Sequence, residues 1–351
     1  MRGERLLRGA WWSGVIGLAV ALLGWWLEPA VFPLAWLAAL TLWIGWPLGC
    51  LALLFAHALT GGRWGETLRP HLIMGIATLP LLLPALVPLL CVARHLYPWL
   101  RPHIADTLAN RFYLNVPFAV GRGFVYLIVW FALGALALRA VRRGGPSPAL
   151  AVTALGLLGI TVTFASIDAT MSLDPHFVSS AYGMMAAAED GLLALAIAVL
   201  AASCDAGVPE DALDDLGRLL QGLLVLFVYL DFMQFLIIWQ SDLPREAAWY
   251  LVRSTGQWGV MAGLVALGHF LLPFFALMSP RLRRSRAGLG GIAGLLIAME
   301  VLRAWWLVLP AAGRFIGWVD IASMLAIGGL ATGLAMTGPG AFTVRRRLRH
   351  G

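Results

Sequence analysis

The amino-acid sequence predicts an all-α polytopic membrane protein with ten transmembrane helices and both termini in the cytoplasm. Of its 351 residues, 60% are hydrophobic and only 12% are charged, and the mean hydropathy is +0.83. Apolar stretches recur at close to the length of about 20 residues that a helix needs to cross a bilayer. All 25 basic residues are arginines, and most stand in short clusters between these stretches. A net charge of +7 distributed in this way is typical of cytoplasmic loops rather than of a nucleic-acid-binding face.

The ten predicted spans form a single integral membrane domain. They cover residues 10–27, 30–59, 72–93, 116–140, 149–170, 178–202, 216–240, 249–278, 288–309 and 319–336. When the loops are sorted alternately, one side carries nearly all the arginine clusters, namely Arg2, Arg5, Arg8, Arg63, Arg69, Arg139, Arg142, Arg143, Arg281, Arg283, Arg284, Arg286, Arg345, Arg346, Arg347 and Arg349. By the positive-inside rule this side is cytoplasmic, which places both termini there and requires an even number of spans.

Three local features qualify this layout. The first span follows a basic start and has no convincing cleavage site, so we expect it to stay attached. In the third span, Pro80, Pro84 and Pro88 share one helical face and predict a bent helix that packs against protein. The predicted cytoplasmic loop at 204–219 is acidic, and we expect a solvated loop that caps the seventh span, with a partner-docking site as the alternative.

The sequence predicts no metal site, no catalytic residue and no cofactor on this chain. Cys50, Cys91 and Cys204 are scattered, without the spacing of covalent haem, iron–sulfur or zinc sites. His57 and His269 lie on different spans, which is the minimum for bis-histidine haem ligation. Nothing in their spacing favours that pair, and buried histidines with ordinary hydrogen-bond partners are the preferred interpretation.

Ionisable and amide side chains inside the predicted spans are the main functional candidates, because burying them costs several kcal/mol unless they are paired or hydrated. The candidates for a proton path are Asp168, Asp174, His176, Glu189, Asp190, Asp231, Gln234, His57 and His269. We expect Arg122, Glu300 and Arg303 to be structural charges, with Glu300 and Arg303 neutralising each other at i, i+3 spacing. The alternative for each candidate is a paired charge that fixes helix register.

A polar stretch at 166–176, S-I-D-A-T-M-S-L-D-P-H, separates the fifth and sixth spans. Its Asp-Pro step disfavours continuous helix, because proline restricts the residue before it to extended geometry. We expect Asp174 and His176 to face an aqueous mouth and Asp168 to point back into the helices. A turn that only caps the two flanking helices is the alternative.

Several segments carry a family resemblance. They are L-A-L-L-F-A-H-A-L-T-G-G-R-W-G at 51–65, H-L-Y-P-W at 95–99, Y-L-N-V-P-F-A-V-G-R at 113–122, the polar stretch with F-V-S-S-A-Y-G after it, and Y-L-D-F-M-Q-F-L-I-I-W-Q-S-D-L-P-R-E at 229–246. Across residues 33–253 the chain resembles the ActF-type membrane subunits of alternative complex III, a bacterial quinol:cytochrome c oxidoreductase. These subunits are related to the NrfD-type membrane subunits of polysulfide reductases.

The resemblance implies two four-helix bundles, formed by spans two to five and six to nine, with two peripheral helices. It implies a bacterial inner-membrane complex whose other subunits are a homologous quinol-site membrane subunit, a multi-haem cytochrome c and an iron–sulfur protein. Haem c and iron–sulfur clusters would then lie on those partners, with quinone nearby and lipids around. The expected role is scaffolding together with proton conduction, without a redox centre. A free-standing transporter or channel, or a purely structural scaffold, remains an alternative.

Overall fold

The computed structural model describes residues 2–101, 108 and 110–338, and every regular element within them is helical. The helices are α1 (Arg2–Leu27), α2 (Phe32–Thr60), α3 (Arg63–Ile76), α4 (Leu82–Leu96), α5 (Val116–Arg142), α6 (Pro148–Ala169), α7 (Tyr182–Ser203), α8 (Glu210–Ser241), α9 (Pro244–Ser254), α10 (Gly256–Val265), α11 (Leu272–Met278), α12 (Pro280–Arg284), α13 (Arg286–Val308) and α14 (Trp318–Thr337). Ten helical segments in the described part are long and apolar enough to cross a membrane. Each predicted span overlaps one of them, which confirms a multi-pass helical membrane protein. The arginines at 345–349 lie outside the described residues.

Two helices, α2 and α7, form the centre of the molecule. They pack against each other, and α2 also contacts α3, α4, α6 and α14, whereas α7 contacts α6, α8 and α13. Helix α2 is the most enclosed span, because 72% of the residues in its most apolar stretch are buried. The outer helices instead expose aliphatic side chains, such as Ile128 on α5 and Val260 on α10. Lipid-facing side chains of this kind are expected where a bilayer surrounds the chain.

Helices α1 and α14 pair along their whole length at the periphery. A Cβ atom added at Gly329 would lie 2.4 Å from the backbone nitrogen of Gly14, and one added at Gly17 would lie 2.6 Å from that of Ala326. Small residues let helix backbones approach closely, which is how helices gain packing energy in lipid. The α1–α14 pair is therefore held mainly by close backbone packing, with one polar contact at its end, where Trp318 donates to Glu28.

The loops sort to two ends of the molecule. At one end, Arg63, the first residue of α3, contacts Asp215 on α8 at 2.6 Å, and Arg283 on α12 contacts Asp214 at 2.7 Å. We call this the arginine-rich end, and it also holds the α5–α6 connection with Arg139, Arg142 and Arg143. At the arginine-poor end, Arg314 before α14 donates to the carbonyl of Val31, and Trp99 donates to Ser172. The even alternation of spans predicted from the arginine clusters agrees with these contacts.

Two spans are interrupted where the sequence places proline or glycine. Between α3 and α4 the chain leaves the α-helical pattern at residues 77–81, as expected for a bent proline-rich span. The expected packing of its proline face against protein is wrong, because Pro80 and Pro84 are exposed. The eighth predicted span, 249–278, begins too early. Residues 244–254 form the separate short helix α9, and Gly256 turns the chain with a φ of +56° before α10. The same span contains a π-helical turn at Ala266–Leu271.

Candidate functional site

A single guanidinium organises the most buried charge cluster of the described chain. Arg303 on α13 is 2% exposed, and its guanidinium nitrogens lie 3.2 Å from Glu189 on α7 and 3.0 Å from Asp231 on α8. The guanidinium also packs over the ring of Phe227 and donates to the sulfur of Met185. The expected local pair of Glu300 with Arg303 is wrong, because Arg303 reaches carboxylates on two other helices instead. A buried guanidinium with several donors satisfies two acceptors better than one.

Glu300 has a different partner. Its Oε1 atom lies 3.1 Å from Nε2 of His269, and both residues are almost completely buried. His269 sits in the π-helical turn of the eighth span, a distortion that occurs frequently at functional sites. His269 therefore belongs to the Arg303 cluster through its contact with Glu300. The ring of Phe227 contacts both basic groups, since its centre lies 5.0 Å from that of the imidazole and 4.8 Å from the guanidinium of Arg303.

The cluster contains more acidic than basic groups. Three carboxyl groups, those of Glu189, Asp231 and Glu300, face one guanidinium and one imidazole. Fully ionised carboxylates beside a neutral imidazole would leave two uncompensated negative charges, and each such charge costs several kcal/mol in an apolar interior. The cluster is therefore neutralised by protons held on its carboxyl or imidazole groups. The side chain of Glu300 also hydrogen-bonds with Glu189, a contact that requires one of the two carboxyl groups to carry a proton.

A chain of polar side chains leads from this cluster toward the arginine-poor end. Asp231 is the most exposed member, with 38% of its side chain accessible. One turn further along α8, Gln234 accepts a hydrogen bond from Ser179 at 3.0 Å and donates to the hydroxyl of Tyr250 at 3.1 Å. In the loop just before Phe177, the backbone amide of His176 donates a hydrogen bond to the carboxylate of Asp174. The structure thus brings Glu189, Asp231 and His269 of the predicted path into one cluster, with Gln234 one turn from Asp231 and with Asp174 and His176 in a loop at the arginine-poor end.

Asp190 points away from this cluster. A Cβ atom added at Gly45 would lie 2.4 Å from its Oδ1 atom, and one added at Gly49 would lie 2.0 Å from its backbone oxygen. Asp190 therefore lies in the α2–α7 contact, and only glycines at these two positions leave room for it. Its carboxyl group makes no hydrogen bond or ion pair among the described residues. Adjacent positions on a helix face different directions, so Glu189 and Asp190 enter different surroundings.

Asp168 belongs to a second, separate site. Its two carboxylate oxygens accept from Nε and Nη2 of Arg122 at 3.0 and 2.8 Å, and Oδ2 also accepts from the hydroxyl of Tyr126. The guanidinium of Arg122 lies 3.7 Å from the centre of the Tyr113 ring. Burial raises the pKa of Tyr113 above its ordinary value. A fully paired carboxylate of this kind fits the structural alternative for Asp168, which joins α5 to α6.

The rest of the polar stretch behaves as its sequence predicts. The helix ends before the Asp-Pro step, and residues 174–181 are not helical, as expected from the restriction before proline. His176 is exposed and Asp174 is half-buried. His57 lies at the arginine-rich end, where its Nε2 atom is 2.9 Å from the carbonyl of Gly62. The two histidines weighed for haem therefore each have another partner.

The acidic loop is not simply solvated. Asp214 is 4% exposed and accepts from Arg283 on α12 and from Arg218 on α8. Its neighbours Asp211 and Asp215 both contact Arg63. These carboxylates are neutralised within the chain, because α8 begins beside the connections that carry the arginines. The expected solvated cap therefore holds for the exposed residues Glu210 and Asp211 and is corrected for Asp214, which is buried in an ion pair with Arg283.

Sequence reasoning missed several residues of these sites. Arg253 on α9 is 5% exposed, stacks on Trp249 at 3.6 Å, and donates to backbone carbonyls of Trp249 and Leu307. Burial lowers its pKa to about 10, so it stays charged at neutral pH. Tyr250 was missed as well. Arg253 and Tyr250 both lie on α9. They were missed because the sequence prediction merged part of α9 with the following span.

Fold and site together define a multi-pass helical membrane protein that encloses a proton-bearing charge cluster between four of its helices. In comparisons with known proteins, no family model matches this chain, and no curated protein matches it.

Proposed function

We propose that this chain is an integral membrane subunit of a bacterial respiratory quinol:cytochrome c oxidoreductase of the alternative complex III class, in which it scaffolds the assembly and conducts protons. One observation carries the proton-conducting part of the proposal. Glu189 and Asp231 contact Arg303, and Glu300 contacts His269 in the same cluster, so four helices contribute to it and acidic groups outnumber basic ones. A cluster that must hold protons inside an apolar interior is suited to taking them up and releasing them.

The respiratory context rests on the sequence resemblance. It supports two four-helix bundles at the centre of the molecule, a location in the bacterial inner membrane, and both termini in the cytoplasm. The arginine-rich end would then be cytoplasmic, by the positive-inside rule. The partners in this proposal are a homologous membrane subunit with the quinol site, a multi-haem cytochrome c and an iron–sulfur protein. Redox cofactors lie on those partners, and quinone binds nearby.

The polar chain through Asp231, Gln234 and Tyr250 supports a direction for proton movement. It connects the cluster with the arginine-poor end, where quinol oxidation on a partner would release protons in this orientation. Hydroxyl and amide groups pass protons only with the help of ordered water or by reorienting. We therefore place the exchange of protons at Asp231, the most accessible carboxyl group of the cluster.

The test is Asp231→Asn in the intact complex. We expect fewer protons released per quinol oxidised, with normal assembly, because asparagine keeps the shape but cannot bind a proton. Asp242→Asn is the matched control. It lies beyond the end of the same helix with a φ of +47°, a conformation that asparagine also tolerates. If Asp231→Asn prevents assembly and any surviving complex couples normally, Asp231 is structural and the proton-conducting role is wrong.

Co-purification tests the respiratory context separately. A subunit of this class should purify with haem c and iron–sulfur proteins encoded by neighbouring reading frames. Purification alone or as a homo-oligomer, together with proton-driven solute uptake in vesicles, would instead establish a free-standing transporter. Normal proton yield after Glu189, Asp190 and Asp231 are all neutralised would establish a pure scaffold.

A further inference from the structure

The arginine-rich end carries two kinds of basic cluster. Arg63 and Arg283 contact carboxylates at the start of α8 and are neutralised within the chain. By contrast, Arg139, Arg142 and Arg143 at the end of α5 are exposed, and their side chains make no ion pair or hydrogen bond within the described part of the chain. The sequence has no acidic residue between positions 107 and 167. The positive charge on the α5–α6 connection is therefore left for an anion from outside the chain.

Arg139 and Arg142 on α5, with Arg143 directly after the helix end, lie next to an aliphatic stripe on one face of α5. Positions 139, 142 and 143 are related by i, i+3 and i, i+4 spacing, and the same face continues back to Leu136 and Ile128, which are 40% and 67% exposed. From Ile128 to Arg139 the helix rises about 16 Å, at about 1.5 Å per residue. This is close to half of the hydrocarbon thickness of about 30 Å. The aliphatic part of this face is therefore about as long as one leaflet is deep, and the arginines place positive charge at its end.

We propose that this face of α5 binds an anionic phospholipid of the leaflet at the arginine-rich end. The headgroup phosphate contacts the guanidinium groups of Arg139, Arg142 and Arg143, and an acyl chain lies along Leu136 and Ile128. Guanidinium groups suit this ligand, because their planar donors match phosphate oxygens in pairs. The arginines at the end of an aliphatic face favour a lipid over an acidic protein segment, because a phospholipid likewise joins one charged headgroup to an apolar chain. The inference does not depend on the proposed respiratory function.

Native mass spectrometry of the detergent-solubilised full-length protein tests this proposal. Dioleoyl phosphatidylglycerol is titrated against dioleoyl phosphatidylcholine, with each of Arg139→Gln, Arg142→Gln and Arg143→Gln and with the triple variant. A positive charge near an anionic surface contributes about fivefold in affinity, so we expect about fivefold weaker phosphatidylglycerol binding per substitution and about a hundredfold for all three. Phosphatidylcholine binding should not change. Arg63→Gln is the matched control, because its guanidinium is already occupied by Asp211 and Asp215.

Two results would overturn the proposal. One is equal phosphatidylglycerol binding by the wild-type and triple-variant proteins, each shown to be folded by its thermal unfolding. The other is release of a co-purified protein by the triple variant while phosphatidylglycerol binding stays unchanged, which would make the face a protein-docking surface.

Discussion

Replacing Arg303 with methionine should strongly destabilise the folded chain. The guanidinium is 2% exposed and serves two carboxylates, those of Glu189 and Asp231. Removing one partner from a buried ion pair leaves uncompensated charge and typically costs about 3–5 kcal/mol. Methionine retains most of the volume, so a cavity contributes little to this loss. We therefore expect a decrease of about 3–5 kcal/mol in the free energy of unfolding.

The partners of Arg303 can be identified by adding second substitutions. Glu189→Gln and Asp231→Asn remove the charges that Arg303→Met exposes, so the triple variant should recover most of the lost stability. A well-shaped neutral replacement of a buried ion pair is often close to neutral in stability. Each acidic substitution should show a coupling free energy of about 1–3 kcal/mol with Arg303→Met.

The assay is reversible unfolding of the detergent-solubilised protein in micelles with increasing dodecyl sulfate, followed by circular dichroism. Glu300→Gln serves as the discriminating control, because Glu300 is on the same helix but contacts His269. If Glu300→Gln restores the stability of Arg303→Met while Glu189→Gln and Asp231→Asn do not, then Arg303 pairs along its own helix. The arrangement of the cluster described above would then be refuted.

Three further substitutions test the packing at the ends and edge of the molecule. Arg283→Gln should reduce the free energy of unfolding by about 1.5–3 kcal/mol, because it removes a charged hydrogen bond from buried Asp214. Arg63→Gln should change the free energy of unfolding little, since the ion pair of Arg63 is exposed and screened. Thermal unfolding of both variants at low and high salt compares the two losses of stability. Equal losses would contradict the difference in burial between the two ion pairs. Gly329→Val should separate α1 from α14, because a Cβ atom there would collide with the backbone of Gly14. Faster proteolysis near the N-terminus reports the separation, and unchanged cleavage would show that the two helices tolerate a wider spacing.

The fold class and much of the topology were predictable because the bilayer imposes strong local rules. Apolar length sets the number of spans and arginine position sets the alternation of loops, and both are properties of short segments. The bend at Pro80 to Pro88 and the loop at the Asp174–Pro175 step also follow from local backbone restriction. The eighth span was drawn too early because α9 is followed at once by another helix. Only the backbone turn at Gly256 separates them.

The pairing of charges was less predictable, because it depends on which helix faces lie together. Glu300 and Arg303 stand at ideal spacing for a local pair, yet each finds its partner on another helix. The sequence predicts that Asp214 is a solvated helix cap, whereas in the structure α12 packs next to it and buries it against Arg283. In both cases the decisive partner comes from a part of the chain that is distant in sequence.

The sequence by itself determined that this is a ten-span helical membrane protein with a polar interior and a basic end. It did so because crossing a bilayer requires each segment to satisfy its own backbone and to match the membrane thickness. Only the tertiary structure decided that Glu189 and Asp231 contact Arg303 and that His269 contacts Glu300, whereas Asp168 is bound to Arg122 and Asp190 faces the glycines of α2. Rotation and contact between helices set these distances, and a buried charge is stable only where such contacts supply its partner.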